Sequence, residues 1–209
     1  MILDMKNIAV LASGRGTNFQ AVIDGIESGF IRGRICCLIT DNPSAYATER
    51  AAGAGIPVKI VDYSKFGSRS DYNSALRDAM DESGADLFVL AGYMRLLDPD
   101  TVRCFPGRMI NIHPALLPSF KGLNAQRQAI EYGVKVSGCT VHFVDEEMDH
   151  GAIIMQCPVP VSGDDTEETL SERILAEEHK ALRESVALFC GDRLEIIDRK
   201  VRILNKKDN

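Results

Sequence analysis

Five short apolar runs in the first 113 residues alternate with segments of helical spacing, and that alternation leaves few folds open. The runs are Asn7 to Ala12, Arg34 to Thr40, Val58 to Val61, Leu87 to Ala91 and Met109 to His113. Each is short and mostly apolar, the pattern of a strand buried on both faces. Between them Phe19, Val22, Ile23 and Ile26 recur at i, i+3, i+4 and i+7 ahead of Gly29, the mark of an amphipathic helix. Ala45 to Ala54 reads as a second helix closed by Gly55, and Tyr72, Ala75, Leu76, Ala79 and Met80 mark a third. Asp98-Pro99 is an N-cap followed by proline at the first helical position, opening a short helix that ends before Pro106-Gly107. Strand and helix at this pitch build βαβ units, so an α/β fold with a mostly parallel sheet covered on both faces is expected.

The pattern changes after His113. Ser137 to Val144 and Ile153 to Val161 are extended runs joined by the acidic stretch Asp145 to Gly151, which predicts antiparallel strands. Asp165 with Glu168 resembles a capping box and opens a long helix whose stripe includes Leu170, Ile174, Leu175, Leu182, Val186 and Phe189. Leu194 to Ile197 and Val201 to Leu204 flank Asp198-Arg199-Lys200 as a terminal hairpin. No repeat or linker interrupts the chain, so residues 1–209 read as one domain.

Composition narrows the partners. Hydrophobic residues at 45% and charged residues at 26% suit a globular protein. The net charge of −6 argues against a nucleic acid, whose binders usually carry a basic face, but leaves room for a small anion in a locally positive pocket. Met1 to Val10 lacks the basic and apolar regions of a signal peptide, and no apolar run approaches about 18 residues, so a cytoplasmic protein without membrane contact is expected. The six cysteines form no C-x-x-C pair and no zinc-spaced cluster, so no metal is expected.

Three places could carry chemistry. Ser13-Gly14-Arg15-Gly16-Thr17-Asn18 lies between the first strand and the first helix, where free amides and the helix dipole favour an anion. Phe19 stands where a dinucleotide fingerprint needs its third glycine, and the lysine of a P-loop is missing, although Asp41 near the end of the second strand keeps a nucleotide open. Asn111 and His113 point to the same face at the carboxyl end of the fifth strand and could stabilise an oxyanion, or equally cap the strand end. Asp149, in the loop closing the antiparallel pair, could act on His113 or be turn chemistry alone. His142 and His179 are ambiguous, and His150 reads as solvated.

S-G-R-G-T-N-F-Q from Ser13, A-G-Y-M-R-L-L from Ala91, N-I-H-P-A-L-L-P-S-F-K-G from Asn111, V-H-F-V-D-E-E-M-D-H-G from Val141 and E-E-H-K from Glu177 are longer motifs in a fixed order. Together they resemble the folate-dependent phosphoribosylglycinamide formyltransferases of purine biosynthesis. The N-I-H-P-x-L-L-P motif is shared across the formyltransferase superfamily, and the glycine-rich loop narrows it. The resemblance implies a Rossmann-like formyltransferase fold with a nucleotide-binding half near 1–113 and a folate-side half near 114–209. It implies that Gly14, Arg15, Gly16, Thr17 and Asn18 hold the phosphoribosyl end of glycinamide ribonucleotide, with Glu178 on the ribose. It also implies that 10-formyltetrahydrofolate lies against Arg69, Met94, Arg95, Leu96, Leu97, Asn111, Val144, Asp145 and Asp149. Asn111 and His113 would stabilise the oxyanion as the glycyl amine attacks the formyl carbon, and Asp149 would keep His113 protonated.

Two positions depart from the family pattern: Asn124 stands where many members carry His, and Arg183 where Pro is usual. The partners implied are small molecules, with the chain a monomer or homodimer. A formylfolate hydrolase or a formyltransferase acting on tRNA or a sugar nucleotide is the alternative enzyme, though such relatives usually carry extra domains and lack this loop. A non-catalytic nucleotide-binding or folate-sensing module is the third, set against the intact Asn111, His113 and Asp149.

Overall fold

The computed structural model describes residues 5–205; Met1 to Asp4 of the N-terminal stretch, and the last four residues, lie outside them. The five expected strands are β1 (Lys6–Leu11), β2 (Gly33–Thr40), β3 (Val58–Ile60), β4 (Leu87–Leu90) and β5 (Met109–His113). They alternate with α1 (Thr17–Glu27), α2 (Ala47–Gly53), α3 (Arg69–Asp81) and α4 (Pro99–Cys104). Then follow α5 (Ala125–Tyr132), β6 (Val136–Phe143), β7 (Ile153–Pro160), α6 (Glu167–Cys190), β8 (Leu194–Ile197) and β9 (Lys200–Ile203). Among the described residues the strands form one sheet in the order β3-β2-β1-β4-β5-β6-β7-β9-β8. Pairing is parallel from β3 to β5 and antiparallel for β5–β6 and β6–β7. The mostly parallel α/β fold with an antiparallel and helical tail is therefore present.

Side-chain alternation along β1 shows why the buried strands are apolar throughout. Ile8 and Val10 face one core with Phe19, Val22, Leu170 and Ile174, while Ala9 and Leu11 face the other with Tyr72, Leu76 and Met80. Both faces are covered by helices, so neither residue of an alternating pair has a solvent side. The order also reverses at β1, whose neighbours β2 and β4 lead in opposite directions across the sheet. That switch point opens a crevice at the strands' carboxyl ends, the usual ligand position in an open α/β sheet.

Three local readings change. Helix α5 has no counterpart in the periodicity reading: it is only eight residues long and starts after Asn124, itself in the left-handed region at φ 57°. A short 3-10 turn at Tyr63–Lys65 is likewise new. The cap of α6 is Thr166, not Asp165. Thr166 Oγ1 accepts the Thr169 N–H at 3.3 Å and Thr169 Oγ1 accepts the Thr166 N–H at 3.0 Å, a reciprocal box in which threonine replaces the usual acid. Asp165 is drawn off to Arg173, the Ser162 N–H and the Thr169 hydroxyl. Thr166→Ala should accordingly lower unfolding free energy by about 1 kcal/mol, the usual cost of a lost N-cap, as read from urea denaturation. An unchanged midpoint would remove Thr166 as the cap.

Candidate active site

Strand ends and three loops assemble the candidate site. After β1 the chain turns through Gly16, at φ 68°, where an added Cβ would lie 2.8 Å from the Ala47 Cβ. Only glycine accepts both the left-handed backbone and this close approach. The turn delivers Thr17 and Asn18 to the start of α1. Asn18 is buried, and its Nδ2 donates to Glu178 Oε2 on α6 at 2.7 Å. Residues 160 positions apart are thus joined. Burial raises the Glu178 carboxyl above its ordinary pKa, opposed by the Asn18 hydrogen bond. The Asn18 Oδ1 is buried without a partner among the described residues.

A second centre forms where β5, β6 and the loop after β6 meet. Asn111 pairs in register with His142, and His113 with Thr140. Asp149 arches over them at φ 48°. Its loop lies so close to β6 that a Cβ on Gly151 would stand 1.9 Å from the Phe143 carbonyl oxygen, so the crossing requires glycine there. Asp149 Oδ2 accepts the Gly122 N–H at 2.8 Å and lies 3.4 Å from His113 Nδ1; Oδ1 accepts from Asn111 Nδ2 at 3.4 Å and lies 3.8 Å from His142 Nε2. Asn111, His113 and Asp149 are therefore one cluster.

Carbonyl partners fix the two imidazoles. His113 Nε2 lies 2.8 Å from the Phe120 carbonyl and His142 Nδ1 lies 2.8 Å from the Phe143 carbonyl. A carbonyl only accepts, so each of these nitrogens carries the proton. The other nitrogen of His142, Nε2, lies 3.2 Å from Asn111 Nδ2. Burial, the largest influence on His113, pulls it below the ordinary imidazole value; the Asp149 charge and the Phe120 carbonyl oppose that, and His142 adds to it. Burial alone would raise Asp149, but His142, the Gly122 N–H and His113 outweigh it and hold the carboxyl below its ordinary value. Desolvation thus favours the neutral His113 ring while the Asp149 carboxylate facing Nδ1 favours the protonated one, and desolvation is the larger influence.

The residues implied for folate fall into two groups. Arg69 Nη2 donates to the Leu96 carbonyl at 3.2 Å, joining α3 to the segment after β4, and the Met94 N–H donates to Ser13 Oγ at 2.8 Å, joining that segment to the glycine loop. Met94 and Leu96 are exposed, while Leu97 is buried. Val144 is half-buried beside β5, its N–H bonded to the Met109 carbonyl. The side chains of Arg95 and Asp145 are engaged elsewhere. Arg95 Nε donates to buried Asp41 Oδ2 at 2.7 Å and its guanidinium lies 4.0 Å over Tyr63, lining a cavity of about 450 Å³ with Ser13, Asp62 and Met94. Asp145 holds His150 at 2.7 Å within its own loop. Gly14 and Arg15 are exposed at the loop's tip.

Sequence reading left His142 undecided and missed the Gly122 N–H and the Phe120 carbonyl. A signal for His142 was present: in a strand of period two, Thr140 and His142 share the face opposite Cys139, Val141 and Phe143. Among the described residues no three His, Cys, Asp or Glu side chains stand together as a metal site.

Known proteins resemble this chain in sequence and fold. A family model described as formyl transferase matches residues 6–186. The phosphoribosylglycinamide formyltransferase of Haemophilus influenzae is 41% identical over 194 residues, 93% of this chain and 92% of that protein. The trifunctional purine biosynthetic protein adenosine-3 of Gallus gallus is 42% identical over 189 residues, 90% of this chain but 19% of that protein, so the chain spans about a fifth of this longer relative. The crystal structure of glycinamide ribonucleotide transformylase 1 from Symbiobacterium toebii has a TM-score of 0.93 at 50% identity, covering 96% of this chain and 95% of that one. With such identity along nearly the whole of the single-function relatives, the chain belongs to the formyl transferase family and, within it, to the phosphoribosylglycinamide formyltransferases.

Proposed function

We propose that the crevice transfers the formyl group of 10-formyltetrahydrofolate to the glycyl amine of 5'-phosphoribosylglycinamide, giving the N-formyl ribonucleotide and tetrahydrofolate in purine biosynthesis. The observation that carries this reading is the Asp149 carboxylate within 3.4 Å of both Asn111 and His113, at the mouth of β5. The phosphate belongs on the amides of Gly14 to Asn18, and the ribose hydroxyls on Glu178, which the Asn18 side chain holds beside that loop. The folate co-substrate fits the wall of Arg69 and Met94 to Leu97: its aromatic rings match the exposed Met94 and Leu96 side chains, and its carboxylates match Arg69. Arg95 reaches that wall already paired with Asp41 through Nε.

As the amine attacks the formyl carbon, negative charge grows on the formyl oxygen. Asn111 Nδ2 can turn one N–H toward it by giving up the long 3.4 Å contact to Asp149 while keeping the 3.2 Å contact to His142. The amine must also lose a proton. Neutral His113 has a bare Nδ1 for it, and the resulting imidazolium faces the Asp149 carboxylate at 3.4 Å, so the proton is held beside an opposite charge. The proton then passes to the leaving nitrogen of the folate. This reading treats residues 1–209 as one domain, the half near 1–113 holding the ribonucleotide and the half near 114–209 supplying the Asp149 loop and Glu178. A cytoplasmic location suits the six free cysteines. Among the described residues no helix is long and apolar enough to cross a membrane.

Purified protein mixed with both substrates should lose the formyl absorbance only when both are present; consumption of the folate alone would mean a hydrolase. His113→Ala and Asp149→Asn should each lower kcat by about 10²-fold or more, and near wild-type rates in both would sink the mechanism. Asn18→Ala should raise KM for the ribonucleotide more than for the folate. The charge states also predict acid sensitivity. Because folded His113 lies below the ordinary 6.5, its contribution is complete above pH 6.5 and is lost as pH falls toward the folded value. Asp149 adds a second loss below 3.8. The urea midpoint should fall between pH 7.5 and 5.5 more steeply in the wild type than in His113→Asn; equal slopes would mean that His113 is not depressed.

A further inference from the structure

The glycine loop is tied down from behind by a segment that takes no part in the chemistry above. Asn42 Nδ2 donates to the Ser13 carbonyl at 3.3 Å, the Ala47 N–H to the Gly14 carbonyl at 3.0 Å, and Arg50 Nε to the Arg15 carbonyl at 2.9 Å. All three donors come from α2 and the turn leading into it. In a trans peptide the carbonyl and the following N–H point in opposite directions. Turning these three successive carbonyls toward α2 therefore turns the N–H groups of Gly14, Arg15 and Gly16 away from it. Among the described residues none of those three N–H groups meets an acceptor. Three aligned, unsatisfied amides beside the dipole of α1 make an anion nest, and its direction is set by what holds the carbonyls.

Arg50 is the side chain best placed to set it. Its Nη1 also donates to Gln20 Oε1 at 3.0 Å, and the Gln20 N–H bonds the Gly16 carbonyl at 2.9 Å. One planar guanidinium thus spans the loop before the turn and the first turn of α1 after it. Tyr46 stacks on the same group at 5.1 Å from ring centre to Cζ, limiting where it can swing. We infer that Arg50 is a positioning residue for phosphate recognition: by holding the Arg15 carbonyl and the Gln20 side chain together, it aims the amides of Gly14, Arg15 and Gly16 at the ribonucleotide phosphate. The inference rests on the proposed reading of Gly14 to Asn18 as the phosphate site.

The test is steady-state kinetics on Arg50→Ala, Arg50→Lys and Gln20→Ala, with inorganic phosphate as a competitive probe. Arg50→Ala should raise KM for the ribonucleotide and Ki for phosphate about tenfold, leaving kcat at saturation and KM for the folate within about twofold. Lysine keeps the charge but cannot present two N–H groups in one plane, so Arg50→Lys should recover less than half of the loss. Full recovery in Arg50→Lys would overturn the inference in favour of simple charge attraction, and an unchanged ribonucleotide KM in Arg50→Ala would overturn it outright. Gln20→Ala, which removes one tether and keeps the charge, should raise the same KM about threefold and covers the case in which Arg50→Ala folds poorly; no change there would likewise count against the tether. Asn18→Ala separates the two levels. If it and phosphate both fail to affect ribonucleotide binding, the phosphate-site reading is wrong and the inference falls with it; if they act while the Arg50 variants do not, only the tether is wrong.

Discussion

The Asp149 carboxylate is gripped by groups from three separate pieces of chain: Asn111 and His113 on β5, His142 on β6, and the Gly122 N–H in the loop after β5. A carboxylate removed from water needs partners for its lone pairs, and this one finds them only if all three pieces are in place. Its backbone is left-handed, a conformation that an Asp tolerates but does not choose, and its loop clears β6 only because residue 151 is glycine. The alignment of Asn111 with His113 is thus enforced from above by a residue about 36 to 38 positions away in sequence.

Around that cluster the sheet supplies the crevice. The reversal of strand order at β1 separates the loops after β1 and β4, and two contacts lace them together again: the Ser13 N–H to the Gly92 carbonyl at 3.1 Å and the Met94 N–H to Ser13 Oγ at 2.8 Å. The glycine loop and the segment carrying Met94 to Leu97 therefore form one continuous rim. Opposite them, α6 sends Glu178 to Asn18 across the α1–α6 contact. On the proposed function, an anionic nucleotide and an anionic folate would be held side by side on a chain of net charge −6 by local attraction from amides, one asparagine and a few arginines.

Much of this was legible in the residues. Apolar runs and helical spacing predicted the five parallel strands and the helices between them, since a sheet covered on both faces leaves an unmistakable mark. The Asp98-Pro99 start of α4 followed from capping chemistry alone. Where the reading failed, competing local partners decided. Asp165 looked like a cap, but Arg173 is within reach only once α6 has formed, and it takes the carboxylate and leaves the cap to Thr166. Arg95 is a different case: implied against the folate, it also meets Asp41 at the end of β2 and Tyr63 in the turn after β3, partners far apart in the chain.

The sequence by itself determined the fold class and the family and nominated the candidate reacting groups, because these depend on periodicity and on motifs contiguous in the chain. Tertiary structure alone decided their chemical state. Burial makes the neutral form of His113 the favoured one, although a neighbouring carboxylate pulls the other way, and the cross-strand register gives Asn111 a histidine partner that spacing along one strand could not reveal. The direction of the glycine-loop amides likewise comes from α2, which lies outside the motif. Solvation and hydrogen-bond direction are properties of neighbours in space, and only the folded chain sets who those neighbours are.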